Sequence, residues 1–174
     1  MKPITDPRFR RNILMGTLIL SVVAFAFTNP PWFIKVWQGR AHLLLGGIYR
    51  IAGNTASALS HYKEARDICN NCSAGKYEMR ALVNMGDIYF ESGNVSEGEK
   101  YYHEAIKAAK EAGYCWGECV AYHSLAIVYD DLADYHKALW YYSATREAAA
   151  SMTFIKYPTD AIADRMREIT EMVW

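Results

Sequence analysis

The residues of this chain best equipped for chemistry are four cysteines in two close pairs, Cys69-x-x-Cys72 and Cys115-x-x-x-Cys119. Thiols at such spacing can bridge, ligate a soft metal or shuttle electrons. In an oxidising compartment the favoured outcome is one or two structural disulfides. A Cys72–Cys115 bridge would staple neighbouring segments if their α-carbons approach within about 7 Å. Buried free thiols, a tetrahedral zinc or iron-sulfur site made from all four, and a redox-active pair stay open as alternatives. Haem attachment in its usual form is excluded, because Ser73 follows Cys72 where a histidine is required.

The other titratable groups form no constellation. His42, His61, His103, His123 and His136 are scattered, and Asp130, Asp131 and Asp134 lack the spacing of an oxygen-ligand loop, which leaves them as solvated helix-end charge. There is no Gly-rich phosphate loop, no Gly-x-Ser-x-Gly and no His-Glu-x-x-His. The expectation is a chain that is not an enzyme and needs no cofactor.

The elements that position these residues follow from a repeated phrase. Leu45-Gly46-Gly47-Ile48-Tyr49 returns as Met85-Gly86-Asp87-Ile88-Tyr89 and as Leu125-Ala126-Ile127-Val128-Tyr129, 40 residues apart each time with no slip in register. A fixed period of this size marks a repeat architecture. Each copy continues with a small residue and a tyrosine at matching offsets: Ala58 and Tyr62, Gly98 and Tyr102, Ala138 and Tyr142. Small residues let two helices of a hairpin approach to about 8 to 10 Å, while tyrosines fill the wedge between hairpins.

This pattern resembles the tetratricopeptide repeat over roughly residues 39–150. The first copy supplies Leu45, Gly46, Tyr49, Gly53, Ala58, Tyr62 and Ala65, with His42 where the family often has Trp. The second supplies Met85, Gly86, Tyr89, Gly93, Gly98, Tyr102 and Ala105, and the third, weaker, ends on Thr145. The family's common period is shorter, so the extra residues are expected to lengthen helix ends, as in repeats of the kinesin light chain type. Asp160 to Met172 then carries Ile162, Met166, Ile169 and Val173 at the spacing of one buried stripe, the form of a capping helix with Thr159 or Asp160 as its N-cap.

The expected fold class is therefore all-α: a single transmembrane helix, then an α-solenoid of three helix hairpins (about 39–78, 79–118 and 119–156) and a capping helix over 157–174. What the resemblance implies for function is a concave groove for a peptide or partner helix. On the family register it is lined by Arg40, Leu43, Gly47 and Arg50, by Arg80, Val83, Asp87 and Phe90, and by His123, Ile127 and Asp130, with Arg50 and Arg80 as possible carboxylate anchors. The carboxylate clamp of the chaperone-binding members would fall on Leu43, Gly47, Asn84, Val120 and Ser124, of which only Asn84 agrees, so that clamp is expected to be absent. Tyr101, Trp140 and Tyr141, beside the repeat positions, are candidates for a further contact surface.

The N-terminal end belongs to another physical regime. Residues 12–28 hold no charge, long enough as a helix to span about 25 Å of a ~30 Å hydrocarbon core. Trp32, Phe33 and Trp37 follow Pro30-Pro31 as an interfacial aromatic belt in a linker over 30–38. Lys2, Arg8, Arg10 and Arg11 precede the span, so residues 1–11 are placed in the cytoplasm and the repeats on the periplasmic, outer side of a single-pass membrane protein. A cleaved signal peptide competes, since Ala24-Phe25-Ala26 meets the small-x-small rule. The whole chain carries 19 basic and 19 acidic residues and no basic stripe, which argues against a nucleic-acid partner. The expected partners are the lipid bilayer and other proteins, subunits of a membrane complex for which this chain is scaffold or accessory subunit. The alternative is a cysteine-dependent metal or redox module on the same frame.

Overall fold

The structure, a computed structural model, describes residues 32–153 and 156–173. Among these residues there are seven α-helices and no strand: α1 (Trp32–Ile51), α2 (Thr55–Asn71), α3 (Gly75–Glu91), α4 (Val95–Glu111), α5 (Cys115–Asp131), α6 (Tyr135–Ala150) and α7 (Asp160–Val173). The packed unit runs from Val36 onward. The expected membrane span over 12–29 lies outside the described residues, and among those described no helix is long and apolar enough to cross a membrane. Residues 32–38, expected as a linker, are the first turns of α1.

The repeat length is accounted for by geometry. Each of α2 to α5 has 17 residues, and three-residue connectors join them, which together fill the 40-residue period. The hairpins α3–α4 and α5–α6 accordingly begin at Gly75 and Cys115, a few residues before the boundaries expected from the sequence. The turn inside each hairpin is built the same way three times. Gly53, Gly93 and Ala133 adopt positive φ (76°, 78° and 57°), which swings the chain out of one helix. Asn54, Asn94 and Asp134 then cap the next, accepting from the backbone N–H of Ser57, Glu97 and Lys137 at 3.1, 3.4 and 3.3 Å. Only glycine takes that conformation without steric cost, so the third turn is the strained one.

Close packing explains the small residues. A Cβ on Gly46 would lie 2.5 Å from the ring of Tyr62, and one on Gly86 2.9 Å from the ring of Tyr102. Across each hairpin one aromatic pair recurs in stacked geometry: Tyr49 on His61, Tyr89 on Tyr101, and Tyr129 on Tyr141, with centroids 5.2, 5.2 and 5.6 Å apart. Tyr101 and Tyr141 are therefore core residues rather than a contact surface, and of that trio Trp140 alone is exposed. The last layer is closed by α7, whose Ile162 and Ile169 are buried with Met166 and Val173 packed beside them. The Thr159 carbonyl accepts from Ala163 at 2.9 Å, which makes Thr159 the residue that starts α7.

Candidate functional site

The first helices of the hairpins, α1, α3 and α5, carry the residues expected to line a groove. Two of these, Leu43 and Val83, are buried and form part of the core, though Leu43 still borders the groove between α1 and α3. Arg50, near the end of α1, reaches the next layer, where its Nη1 lies 3.0 Å from Asp87 Oδ2 and its Nη2 bonds Glu91. Burial alone would lower the guanidinium pKa, and the hydrogen bond to Glu91 together with the Asp87 charge reverses this and raises it. The Tyr102 hydroxyl donates to the second Asp87 oxygen. Arg50 is thus consumed in a tie between layers and is no carboxylate anchor.

Asp130 is occupied in the same manner at the other end. Arg165 of α7 grips it with two bonds, Nε to Oδ2 at 2.7 Å and Nη2 to Oδ1 at 2.8 Å, and the Tyr142 hydroxyl donates to Oδ2 at 3.2 Å. The hydrogen bonds from Arg165 hold the Asp130 carboxyl below the usual carboxylate range. His123 pairs with the Tyr157 hydroxyl at 2.9 Å, and burial lowers its pKa. His123 and Asp130, two of the three expected groove residues of α5, therefore serve the C-terminal cap.

What stays open is narrower. Arg80 is exposed on α3 and, among the described residues, has no carboxylate within ion-pair distance. Arg40 lies over the Trp37 ring at 4.2 Å and the Tyr77 ring at 5.5 Å. Gly47 borders an open groove of about 700 Å³ between α1 and α3. Between α3 and α5 lies a second groove of about 430 Å³, lined by Phe90, Val95, Val128 and Leu132 with Asp87, Glu91 and Asp131 along it. Phe90 is held by Tyr102, ring centroids 5.5 Å apart, and Ile127 is exposed on the same helix as Val128.

The model of the tetratricopeptide repeat family matches residues 77–151, the second and third hairpins. These two hairpins match the tetratricopeptide repeat. Among solved structures, the crystal structure of BtubC (BKLC) from P. vanneervenii superposes with a TM-score of 0.60 at 16% identity, over 77% of this chain. This chain spans 63% of that protein's length, and at such identity the likeness is one of fold. No curated protein matches.

The cysteines occupy the junctions between helix hairpins, at the end of α2 and the start of α5, and all four are unbridged. Cys69 is buried against Gly39 of α1, where its sulfur fills the space that a Cβ would take. Cys119 is buried in another layer, its Sγ 3.9 Å from the Thr145 carbonyl and 4.0 Å from the Met152 sulfur. Burial pushes the Cys69 thiol up to about 12 and the Cys119 thiol up to about 11. A thiol held protonated is a poor ligand and a poor nucleophile. Among the described residues no three of His, Cys, Asp and Glu come together to hold a metal, so a four-cysteine site is not assembled. Trp32, Phe33 and Trp37, expected at a membrane interface, are all exposed. Sequence reasoning missed Arg165 and Glu91, the partners that decide which groove residues are free. Their signal was present as charge separated by about one repeat: Arg50 and Glu91 lie 41 positions apart and Asp130 and Arg165 lie 35 apart.

Proposed function

We propose that this chain is a protein-interaction module, anchored to a membrane through residues 12–29 and acting as a scaffold or accessory subunit of a larger assembly. The groove between α3 and α5 is the seat for the partner. The observation that carries this is its composition: Phe90, Val128 and Leu132 offer an apolar floor, with Leu132 half-exposed, while Asp131 stands beside it outside any ion pair among the described residues. Such a site favours an apolar segment flanked by Lys or Arg rather than a carboxylate terminus. The uncharged run over 12–28 and the exposed Trp32, Phe33 and Trp37 support the anchor.

The test is recovery of the full-length chain in mild detergent, comparing the native sequence with Val128→Glu and with Asp131→Lys. Stoichiometric membrane partners that are lost from both variants, with helicity unchanged by circular dichroism, are the expected result. Partners retained by both variants would remove the groove from consideration, and partners lost only on replacing the cysteines would move the function to them.

A further inference from the structure

In the first hairpin two histidines meet. His42 of α1 and His61 of α2 stand 19 positions apart in the sequence, both half-buried, and their Nδ1 atoms lie 3.1 Å from each other. Tyr49 lies flat on His61, with ring centroids 5.2 Å apart and planes 12° from parallel, which holds one face of that ring and leaves its edge to His42. The repeat register makes the pair informative. One and two periods later the same two positions hold Leu82 with Tyr101 and Tyr122 with Tyr141, all packed into the core or against it. The hairpin is therefore satisfied by apolar and aromatic side chains at both places, and the first copy departs from this at both. Any polar residue would suit a half-buried position, whereas two imidazoles with their nitrogens turned to each other form a narrower arrangement, and imidazole is the commonest metal ligand among side chains.

The separation suits a chelate. Zinc sits about 2.0 to 2.1 Å from an imidazole nitrogen, so two nitrogens held 3.1 Å apart subtend about 100° at a shared ion, between a right angle and the tetrahedral value. In the hydrogen-bonded pair one Nδ1 must carry the proton that it donates to the other. Ligation moves that proton to Nε2 of the same ring, with no net loss from the pair, and turns both lone pairs toward the ion by rotation about χ2, a soft torsion in histidine. We propose that His42 and His61 chelate a borderline divalent cation, zinc, through their Nδ1 atoms. Neutral imidazoles favour zinc, copper and nickel over magnesium or calcium, which take oxygen ligands. No third His, Cys, Asp or Glu joins the pair among the described residues, so the remaining coordination positions fall to water or to an incoming ligand, and the ion is exchangeable rather than structural. The site lies within the first hairpin and does not depend on the α3–α5 groove.

The test uses the full-length chain in mild detergent, stripped of metal by a chelator and titrated with zinc alone in a calorimeter. The native chain is expected to bind zinc, and His42→Ala or His61→Ala to weaken that binding at least about tenfold, because each leaves a single imidazole where two acted together. The double variant His42→Tyr/His61→Tyr carries the residues that the third hairpin places there, so it is expected to keep its helicity and lose the site. Copper(II) as a probe reads the ligands directly: pulsed electron paramagnetic resonance should count two imidazoles on the copper in the native chain and at most one in either alanine variant. Zinc binding of native strength in the tyrosine variant, or two imidazoles on copper in both alanine variants, contradicts the proposal and assigns the metal to other groups of the chain. A native chain that binds no zinc contradicts it as well, leaving the 3.1 Å contact as a hydrogen bond between α1 and α2.

Discussion

The two ends of this stack are built from helices of similar kind and finished in opposite ways. At the C-terminal end, α7 lays Ile162 and Ile169 into the last hairpin and presents charge to solvent. At the N-terminal end, α1 presents Trp37, Leu44, Ile48 and Ile51. The difference shows most clearly at one register position: Leu45 is 41% exposed, whereas Met85 and Leu125, one and two periods later, are both at 0%. An apolar residue at the same place in the same motif is core or surface according to whether a preceding layer covers it among the described residues. In a solenoid, burial is supplied by neighbours rather than by the repeat itself.

That contrast can be broken most severely in the interior. Leu125→Ala is expected to cost about 2 to 5 kcal/mol through lost burial and a cavity, while Leu45→Ala costs under about 1 kcal/mol. Urea unfolding of the full chain reads the two together, and equal losses would mean that α1 is covered. At the ends, Ile169→Ala is expected to cost roughly 2 to 4 kcal/mol, since the side chain is wholly buried, against a far smaller change for Ile48→Ala. The turns sharpen the comparison between repeats. Ala133→Gly relieves a positive φ of 57° and should raise stability by about 1 kcal/mol, and Gly93→Ala, at 78°, should lower it by about the same amount. Thermal midpoints moving the same way in both variants would contradict the turn account.

The smallest effect is on pH. Burial holds His123 below its ordinary value of 6.5, so its share of cap stability is complete above that pH and is lost as pH falls through the folded-state value. Asp130 is held below its ordinary 3.8 by Arg165, and its share is complete above that value and lost as pH falls through its own, lower folded-state value. The cap should therefore loosen in two acid steps. Fluorescence of Trp116, whose ring lies 5.0 Å from that of Tyr157, is the reporter. His123→Gln should remove the step at higher pH and Asp130→Asn the step at lower pH.

Much of the fold was legible because it repeats. The small residues and tyrosines at fixed offsets named the hairpins, and the spacing of Ile162, Met166 and Ile169 named the cap. The groove was legible only as a set of positions. Whether Arg50 or Asp130 was free depended on partners roughly one repeat away, Asp87 and Glu91 in one case and Arg165 in the other, and the pattern of size and polarity that names the repeats does not show them unless opposite charges at that separation are sought as pairs. The cysteines show the same limit. Their spacing allowed a bridge or a metal, while Cys69 and Cys119 in fact turn into separate layers, each against its own neighbours.

The most direct measurement is site-specific photocrosslinking of the full-length chain in intact cells, with the reactive side chain placed in turn at Leu132 in the α3–α5 groove, at Ile48 on α1 and at Glu168 on the outer face of α7. The account expects a different protein captured from Leu132 and no protein captured from Glu168, with Ile48 reporting what meets the exposed face of α1. Capture of a partner from Glu168, with nothing from Leu132, would contradict it: the charged end would then be the working surface.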